Sequence, residues 1–238
     1  MSPQLCVFET LELREGLPFA LSRHLERLRT AAAELQIEPF REQELLAAVE
    51  QTCRAWGKSP GRLRISWSGR LTVTSSPMTV QRSPIALSSS SYRLDPNSAT
   101  AGLKSSSYAT HAALLADHPK SQEVVFGNLR DELCSGAMSN LFVALDGQLQ
   151  TPLLNSGCRA GVTRELLLEA LLDAGQPALE CRIPFGELHR AEEVFVVSTA
   201  RQIQPASQLN QQDLPDNRPL TEFAQNCYDR QYSSLIDP

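Results

Sequence analysis

Amine chemistry on a side chain can use only three positions in this chain of 238 residues, because Lys58, Lys104 and Lys120 are its only lysines. Lys58 and Lys120 lie in polar segments close to a proline and are expected to be solvated. Lys104 precedes an apolar helical pattern, so we expect its side chain to point into a pocket. An amine must be neutral to attack a carbonyl, and burial lowers the pKa of a lysine from its usual value of about 10.4. Lys104 is therefore the candidate for Schiff-base chemistry.

Two turns carry hydroxyl groups in settings that suit an anion. Gly161-Val162-Thr163 begins an apolar helical pattern, and the free N–H groups and positive dipole end of a helix start attract anions. The alternative is that Thr163 simply caps this helix. Ser198-Thr199 follows a predicted strand, and binding sites of α/β proteins gather at strand ends. An ordinary loop is the alternative there, so spacing alone leaves both turns open.

The composition excludes several classes of function. The chain has 22 basic and 27 acidic residues, and this acidic balance argues against a nucleic-acid or membrane-surface binder. No apolar run approaches the roughly 20 residues needed to span a bilayer. The six cysteines form no CxxC pair and have no histidine at ligand spacing, so no metal site is predicted. The first residues lack a basic region followed by a long apolar stretch, so we expect a cytoplasmic protein without a secretory signal.

Hydrophobic periodicity predicts the elements that must position these residues in the first half of the chain. They are a strand over 5–13, a helix from the N-cap Ser22 to about residue 37, a helix over 42–56, and a hairpin of strands 63–67 and 71–74. Together they form a small N-terminal lobe, residues 1–78. A segment rich in Ser and Pro follows, and we predict a linker over residues 79–84.

The second half, residues 85–238, is predicted to form a larger lobe. Its predicted elements are strands over 85–92, 123–126, 141–145 and 193–197, and helices over 108–116 and 164–174. Strands and helices alternate along the chain, and the first half is rich in hairpin signals. The sequence therefore predicts a mixed α/β architecture in two lobes.

Four segments stand out when the whole chain is considered. They are FETLELREGLPFALSRHLERLRTAAAEL, GLKSSSYATHAALLA, MSNLFV followed by LQTPLLNSGCRAGVTRELLLEAL, and EEVFVVSTARQIQP. In this order they resemble the class IV aminotransferase family, the fold-type IV pyridoxal-phosphate enzymes. That family includes branched-chain aminotransferases, D-amino acid aminotransferases and 4-amino-4-deoxychorismate lyases. The resemblance implies a two-lobed D-amino acid aminotransferase-like α/β (α+β) fold, with a small N-terminal α/β lobe and a larger C-terminal pseudo-barrel lobe.

The resemblance also implies a role for each candidate residue. Lys104 matches the lysine that forms a Schiff base with pyridoxal 5′-phosphate and moves the proton at the substrate α-carbon. The other implied contacts are Arg27, Val162, Thr163 and Thr199 at the cofactor phosphate, Tyr108 near its ring, and Phe8 in the substrate pocket. Asn140 matches an asparagine that we interpret as structural support.

The chain departs from the family at Ser135. Alignment of residues 130–140 without gaps places Ser135 five residues before Asn140, where the family has a glutamate that pairs with the pyridine nitrogen. A bond to a charged partner contributes about 1.5–3 kcal/mol, against about 0.5–1.5 kcal/mol for a neutral hydroxyl, so the ring should be less protonated here. We interpret Ser135 as a cofactor contact that favours elimination over transamination. The spacing does not support Glu132 as a replacement.

The leading hypothesis is a 4-amino-4-deoxychorismate lyase that releases pyruvate and 4-aminobenzoate for folate synthesis. Support comes from Ser135, from the Lys-Ser-Ser-Ser-Tyr run and from the short chain. The alternatives are an aminotransferase acting on branched-chain or D-amino acids, and a degenerate member that keeps the fold without efficient chemistry. Several relatives carry a carboxylate-binding arginine where Ser68 precedes Gly69 here, which leaves the substrate open. The resemblance implies an amino-acid-like substrate and a homodimer.

Overall fold

Residues 5–238 are described by a computed structural model, and they divide into two units. Unit 1 takes in the described residues up to Val80, together with Leu103–Tyr108 and Ser234–Pro238. Unit 2 comprises Gln81–Gly102 and Ala109–Ser233. The first change of unit, between residues 80 and 81, falls inside the segment 79–84, where the composition predicts a linker. The segment that carries Lys104 belongs to unit 1.

Unit 1 contains an antiparallel sheet of four strands in the order β2-β1-β3-β4. The strands are β1 (Val7–Arg14), β2 (Leu17–Pro18), β3 (Gly61–Trp67) and β4 (Leu71–Pro77). Leu11, Leu63 and Ile65 are fully buried on one face of this sheet. Since side chains alternate along a strand, Phe8 and Arg64 belong to the opposite face. The hairpin predicted from the sequence is confirmed as β3 and β4.

Two helices cover the buried face of this sheet. They are α1 (Leu21–Glu34) and α2 (Glu42–Trp56), and their apolar side chains complete the core of unit 1. The bounds of α2 are those predicted, and Gly57 follows with a positive φ of 77°. The sequence predicted Ser22 as the N-cap of α1, and this prediction is wrong. Ala20 occupies that position with φ 54°, and the Ser22 hydroxyl instead donates to Asp237.

Unit 2 contains a sheet of nine strands in the order β10-β9-β8-β11-β12-β5-β6-β7, with β13 paired to β12. The strands are β5 (Ile85–Leu94), β6 (Glu123–Asn128), β7 (Leu133–Gly136), β8 (Asn140–Leu145), β9 (Gln148–Pro152), β10 (Leu179–Cys181), β11 (Glu193–Ser198), β12 (Gln202–Leu209) and β13 (Gln212–Asp213). Strand β7, at one end of this order, also contacts β8 and β9 near the other end. The sheet therefore curls into a half-barrel, which confirms the mixed α/β fold predicted from the sequence.

Three α-helices accompany this sheet. They are α3 (Ala109–Ala116), which contacts β6, and α4 (Val162–Asp173) and α5 (Pro219–Tyr232), which contact each other and β11. One core cluster of unit 2 surrounds Leu133, Leu141 and Val196. A smaller apolar cluster around Val124, Phe126 and Ala137 lies on the opposite face of the β6–β7 pair. Among the described residues, no helix combines the length and apolar character needed to cross a membrane.

Candidate active site

The segment that carries Lys104 adds to the edge of the sheet in unit 1. The Phe8 N–H donates to the Lys104 carbonyl at 3.0 Å, and the Ser106 N–H donates to the Cys6 carbonyl at 2.8 Å. Val7 and Ser105 form an antiparallel bridge. These backbone contacts fix Lys104 beside the first residues of β1.

The amine of Lys104 lies against two aromatic rings. Its Nζ is 4.6 Å from the centre of the Phe8 ring and 5.2 Å from the centre of the Tyr108 ring. The two rings meet edge to face, with centres 6.0 Å apart. Phe8 is 8% exposed, whereas Lys104 and Tyr108 are half-buried. A lysine amine between aromatic walls is electrostatically favourable and leaves an apolar surface on which a flat ligand can pack.

Arg64 is a second cation at the Phe8 ring that the sequence analysis did not identify. Its guanidinium carbon lies 3.8 Å from the centre of that ring. Lys104 contacts the same ring, with its Nζ 4.6 Å from the ring centre, so the Arg64 guanidinium and the Lys104 amine lie close to each other. Burial lowers the pKa of Arg64 from its usual value, and the guanidinium remains a cation. Guanidinium groups bind carboxylates well, so this one can orient an acidic substrate.

Arg27 belongs to a cluster on the helix-covered face of the same sheet. Its Nε donates to Oε1 of Glu9 at 2.7 Å, and its Nη2 donates to Oε2 of the same carboxylate. Nδ1 of His24 lies 2.7 Å from Oε2 of Glu9. Burial alone would raise the pKa of Glu9, but the Arg27 charge and the hydrogen bonds from His24 and Arg27 outweigh it and hold that pKa well below its usual range. Glu9 is thus a carboxylate that fixes the direction of the Arg27 guanidinium.

In unit 2, Val162 and Thr163 form the first turn of α4. The N-cap is Gly161, so the alternative that Thr163 caps the helix is wrong. Val162 and Thr163 are 4% and 7% exposed. The N–H groups of a first helical turn have no acceptor within the helix, and together with a hydroxyl they suit an anionic group.

Asn140 holds the turn before α4 in place. Its Nδ2 donates to the Arg159 carbonyl at 2.7 Å. A Cβ atom at position 161 would overlap Oδ1 of Asn140, so only glycine allows this approach. These contacts are those expected of an asparagine that supports the structure of this turn.

Thr199 lies in the turn that joins β11 to β12. Strand β11 ends at Ser198, and Gln202 pairs with Ser198 at the start of β12. The position of this turn at a strand end is as predicted. Thr199 is half-buried at this end of the strand.

Ser135 lies in β7, directly opposite Phe126 of β6. It is 7% exposed. Gly136 pairs with Val125, so Glu123, two residues before Val125, points to the face opposite that of Ser135. Glu132 does not replace the glutamate expected at position 135 either, because its carboxylate is bound elsewhere. It accepts hydrogen bonds from Asn128 and Arg130, which keep its pKa below its usual value. Ser135 therefore shares its face of the β6–β7 pair with apolar side chains.

The predicted site residues are distributed over both units. Unit 1 carries Phe8, Arg27, Lys104 and Tyr108, and it brings the last of these together with Phe8 and Lys104. Unit 2 carries Ser135, Val162, Thr163 and Thr199. No group of three or more His, Cys, Asp or Glu side chains in residues 5–238 is arranged to hold a metal ion.

A lysine amine beside aromatic rings suits a flat cofactor that bears a carbonyl group, as pyridoxal phosphate does. A family model described as amino-transferase class IV matches residues 6–209, so the chain belongs to this family. Its members are pyridoxal-phosphate enzymes that act as aminotransferases or lyases.

Individual relatives are similar over most of their length but at low identity. A Thermotoga maritima protein named "Probable branched-chain-amino-acid aminotransferase" is 25% identical over 92% of this chain and 82% of its own. The aminodeoxychorismate lyase of Bacillus subtilis is 26% identical over 97% of this chain and 86% of its own. The crystal structure of a branched-chain aminotransferase from Thermoproteus uzoniensis matches 96% of this chain and 85% of its own at 26% identity, with a TM-score of 0.86.

Proposed function

We propose that the protein is a pyridoxal-phosphate-dependent 4-amino-4-deoxychorismate lyase, which releases pyruvate and 4-aminobenzoate. The observation that carries this choice within the family is Ser135, a neutral residue whose face of the β6–β7 pair holds apolar side chains rather than a carboxylate. The 4-aminobenzoate would enter folate synthesis.

The residues of each unit fit the cofactor that class IV aminotransferases use. In unit 1, a lysine amine stands beside two aromatic rings, which suits a flat ring that bears an aldehyde. In unit 2, a first helical turn with a buried threonine suits a phosphate. We propose that the cofactor is held by Lys104 through its amine, by Arg27, Val162, Thr163 and Thr199 at the phosphate, and by Tyr108 and Ser135 near the ring.

The chemistry at the bound substrate is divided between cofactor and protein. Pyridoxal phosphate supplies a conjugated ring that accepts the electron pair released at the substrate α-carbon. Lys104 takes up a proton at Nζ and returns it, and the backbone bond from Phe8 holds the lysine segment at the sheet edge for that purpose. The Phe8 and Tyr108 rings exclude water from two sides of the amine, while Glu9 keeps Arg27 in one orientation.

Ser135 determines which reaction is favoured. A hydroxyl contributes less than a carboxylate to keeping a pyridine nitrogen protonated. Ser135 would therefore leave the bound ring a weaker electron sink, which suits elimination better than transamination.

Arg64 is the proposed partner of a substrate carboxylate. Position 68 is a serine where several relatives have a carboxylate-binding arginine. Arg64 lies at the same aromatic ring as Lys104. A substrate whose amino group is close to Lys104 can therefore bind Arg64 through its carboxylate. This contact supports the proposal of an amino-acid-like substrate with a carboxylate.

An aminotransferase is the second candidate, because the Thermotoga maritima relative named for that activity is as similar as the lyase from Bacillus subtilis. The two are separated by one comparison with the purified protein. Pyruvate release from 4-amino-4-deoxychorismate, without an added keto acid, supports the lyase. Amino transfer to 2-oxoglutarate from branched-chain or D-amino acids, without pyruvate release from aminodeoxychorismate, would rule it out.

The homodimer implied by the family resemblance remains part of this proposal. Light scattering after size-exclusion chromatography tests it, because a dimer has twice the 26.2 kDa mass of the chain.

A further inference from the structure

Glu123 is a buried carboxylate that the proposed reaction does not use. It begins β6 with 0% exposed surface. Its Oε1 accepts the Met138 N–H at 3.2 Å, and its Oε2 accepts the Ser139 hydroxyl at 2.8 Å. Nε of Arg201 lies 3.9 Å from Oε2. Burial raises the pKa of Glu123 against the opposing effects of Arg201 and these hydrogen bonds. Burying a carboxylate is costly, so its contacts indicate what it holds in place.

The first contact of Glu123 is the tight turn between β7 and β8. The Gly136 N–H donates to the Ser139 carbonyl at 3.0 Å and closes this turn. A Cβ atom at position 136 would overlap the Ser139 hydroxyl and lie 3.1 Å from Cγ of Glu123. The Glu123 carboxylate therefore fills the space under the turn. Its hydrogen bonds fix the turn that connects Ser135 on β7 with Asn140 at the start of β8.

Two further contacts extend from this turn towards α4. Nη2 of Arg159 donates to the Met138 carbonyl at 3.3 Å, so the Met138 peptide is bound by Glu123 at its N–H and by Arg159 at its carbonyl. The Arg159 carbonyl in turn accepts Nδ2 of Asn140. Arg159 is 7% exposed and lies three residues before Val162 begins α4. The turn at Met138 and the start of α4 are thus tied together.

The other side of Glu123 leads to the turn that carries Thr199. Arg201 lies in that turn, and its Nη2 donates to the carbonyl of Gln122, the residue before Glu123, at 2.7 Å. Its Nη1 donates to Oε1 of Gln204 on β12. A shift of the Glu123 carboxylate would therefore be transmitted through Arg201 to the residues beside Thr199.

We propose that Glu123 is a positioning residue that aligns three turns of unit 2 with one another and thereby sets the affinity for the phosphate-bearing cofactor. The three turns are residues 135–140, 159–163 and 199–201. This inference rests on the proposed function, because it assigns those turns to pyridoxal phosphate. It concerns a residue that touches neither cofactor nor substrate and acts through the backbone of the turns.

The test compares Glu123→Gln with Glu193→Gln. Glu193 is the matched control because it is also a buried carboxylate of unit 2 that accepts hydrogen bonds from two backbone N–H groups and one hydroxyl. Its partners are Leu220 and Thr221 at the start of α5, which belong to none of the three turns. Each purified apoprotein is titrated with pyridoxal phosphate and with pyridoxal, which lacks the phosphate. Dissociation constants and the absorbance maximum of the bound cofactor are recorded, and thermal unfolding is followed in parallel.

Glu123→Gln is expected to weaken pyridoxal-phosphate binding about tenfold, the order of effect that the loss of one hydrogen bond produces. Pyridoxal binding should weaken less, so the dissociation constant for pyridoxal phosphate divided by that for pyridoxal should rise, and the absorbance maximum should shift. Glu193→Gln should lower the unfolding temperature and leave both dissociation constants unchanged. Equal effects of the two variants on affinity, or none from either, would overturn the proposal.

Two milder variants keep the test decisive if Glu123→Gln does not fold. Ser139→Ala removes one hydrogen bond to Glu123, and Arg201→Gln removes the neighbouring cation. Each is expected to weaken pyridoxal-phosphate binding, and their combination should weaken it by less than the product of the single effects, because both act through Glu123. Folded variants with wild-type affinity would overturn the inference alone. A wild-type protein that binds no pyridoxal phosphate would overturn the proposed function as well.

Discussion

Arg27 and Glu9 form a bidentate ion pair inside unit 1, in which Nε and Nη2 of the guanidinium donate to the two oxygens of one carboxylate. The Glu9 side chain is 1% exposed and that of Arg27 is 16% exposed. His24 adds a third contact to the same carboxylate. A guanidinium held this way is preorganised, so it loses little conformational freedom when it binds an anion.

Glu9→Gln is expected to destabilise the protein by about 3 kcal/mol near neutral pH, because it leaves a largely buried guanidinium without its charged partner. The folded-state pKa of Glu9 lies below its ordinary value of 4.5, so the stabilisation is complete above that value and is lost as the pH falls below it. Urea unfolding of wild type and variant from pH 7 down to the acid range measures the difference. It should shrink on acidification.

The surface pair of Glu50 and Arg54 provides the control for this experiment. Both side chains are at least 70% exposed, so Glu50→Gln should cost no more than about 0.5 kcal/mol. A Glu9→Gln variant as stable as Glu50→Gln would show that the buried pair contributes nothing to stability.

Lys104→Ala is expected to abolish the visible absorbance that pyridoxal phosphate gains on binding and to lower turnover about 10³-fold or more, because the amine both holds the cofactor and moves the proton. Borohydride reduction of the loaded wild type followed by peptide mapping should place the label on Lys104. Lys58→Ala and Lys120→Ala should behave like wild type. Label on either of those two residues would contradict the assignment.

The sequence predicted the long periodic elements well, because their signals are local. Helix α2 runs over Glu42–Trp56 as predicted, with its apolar face on Leu45, Val49 and Cys53 and glycine after its end. Strands β8 and β11 are continuous apolar runs and were located within a residue or two. Each of these elements is specified by residues within its own span, so no knowledge of its neighbours was needed.

The elements that the sequence analysis missed depend on partners far along the chain. Strand β7 has only four residues, two of them Ser135 and Gly136, and it is held by pairing with β6. Helix α5 is polar over much of its length, although Pro219 at its first turn was an available start signal. Short length conceals β7 and polar composition conceals α5, because burial against neighbours, rather than periodicity, stabilises them.

The site shows the same division. Lys104 and the start of α4 have recognisable local sequences, whereas Glu9 and Arg64 matter through strand register. Arg64 pairs with Thr10, which places it diagonally across from Phe8 on the same face. Register between β1 and β3 cannot be derived from either strand alone. The one available signal was the spacing of Arg62 and Arg64, which lie two residues apart in a strand of alternating pattern and therefore share a face.

Ser135→Glu should change the balance between the two candidate reactions. A carboxylate on this face would favour a protonated pyridine ring, so aminotransferase turnover is expected to rise about tenfold, consistent with the gain of one charge-assisted hydrogen bond. Lyase turnover should stay level or fall. Both rates are measured on the same preparation, and Ser135→Ala serves as the control for loss of the hydroxyl. Unchanged aminotransferase activity in the glutamate variant would contradict the role assigned to Ser135.

Arg64→Gln is expected to raise KM for a carboxylate substrate by about tenfold, because it removes a charge-assisted contact made with the substrate before and during the reaction. The matched variant is Arg62→Gln, on the same face of β3 but with its Nε donating to the Ser76 hydroxyl. Arg62→Gln should leave KM within about twofold of wild type. Pyridoxal-phosphate affinity should be unchanged in both, since Arg64 is assigned to the substrate. If Arg64→Gln instead weakened the cofactor and left KM unchanged, its guanidinium would serve the cofactor side, and the substrate carboxylate would require another partner.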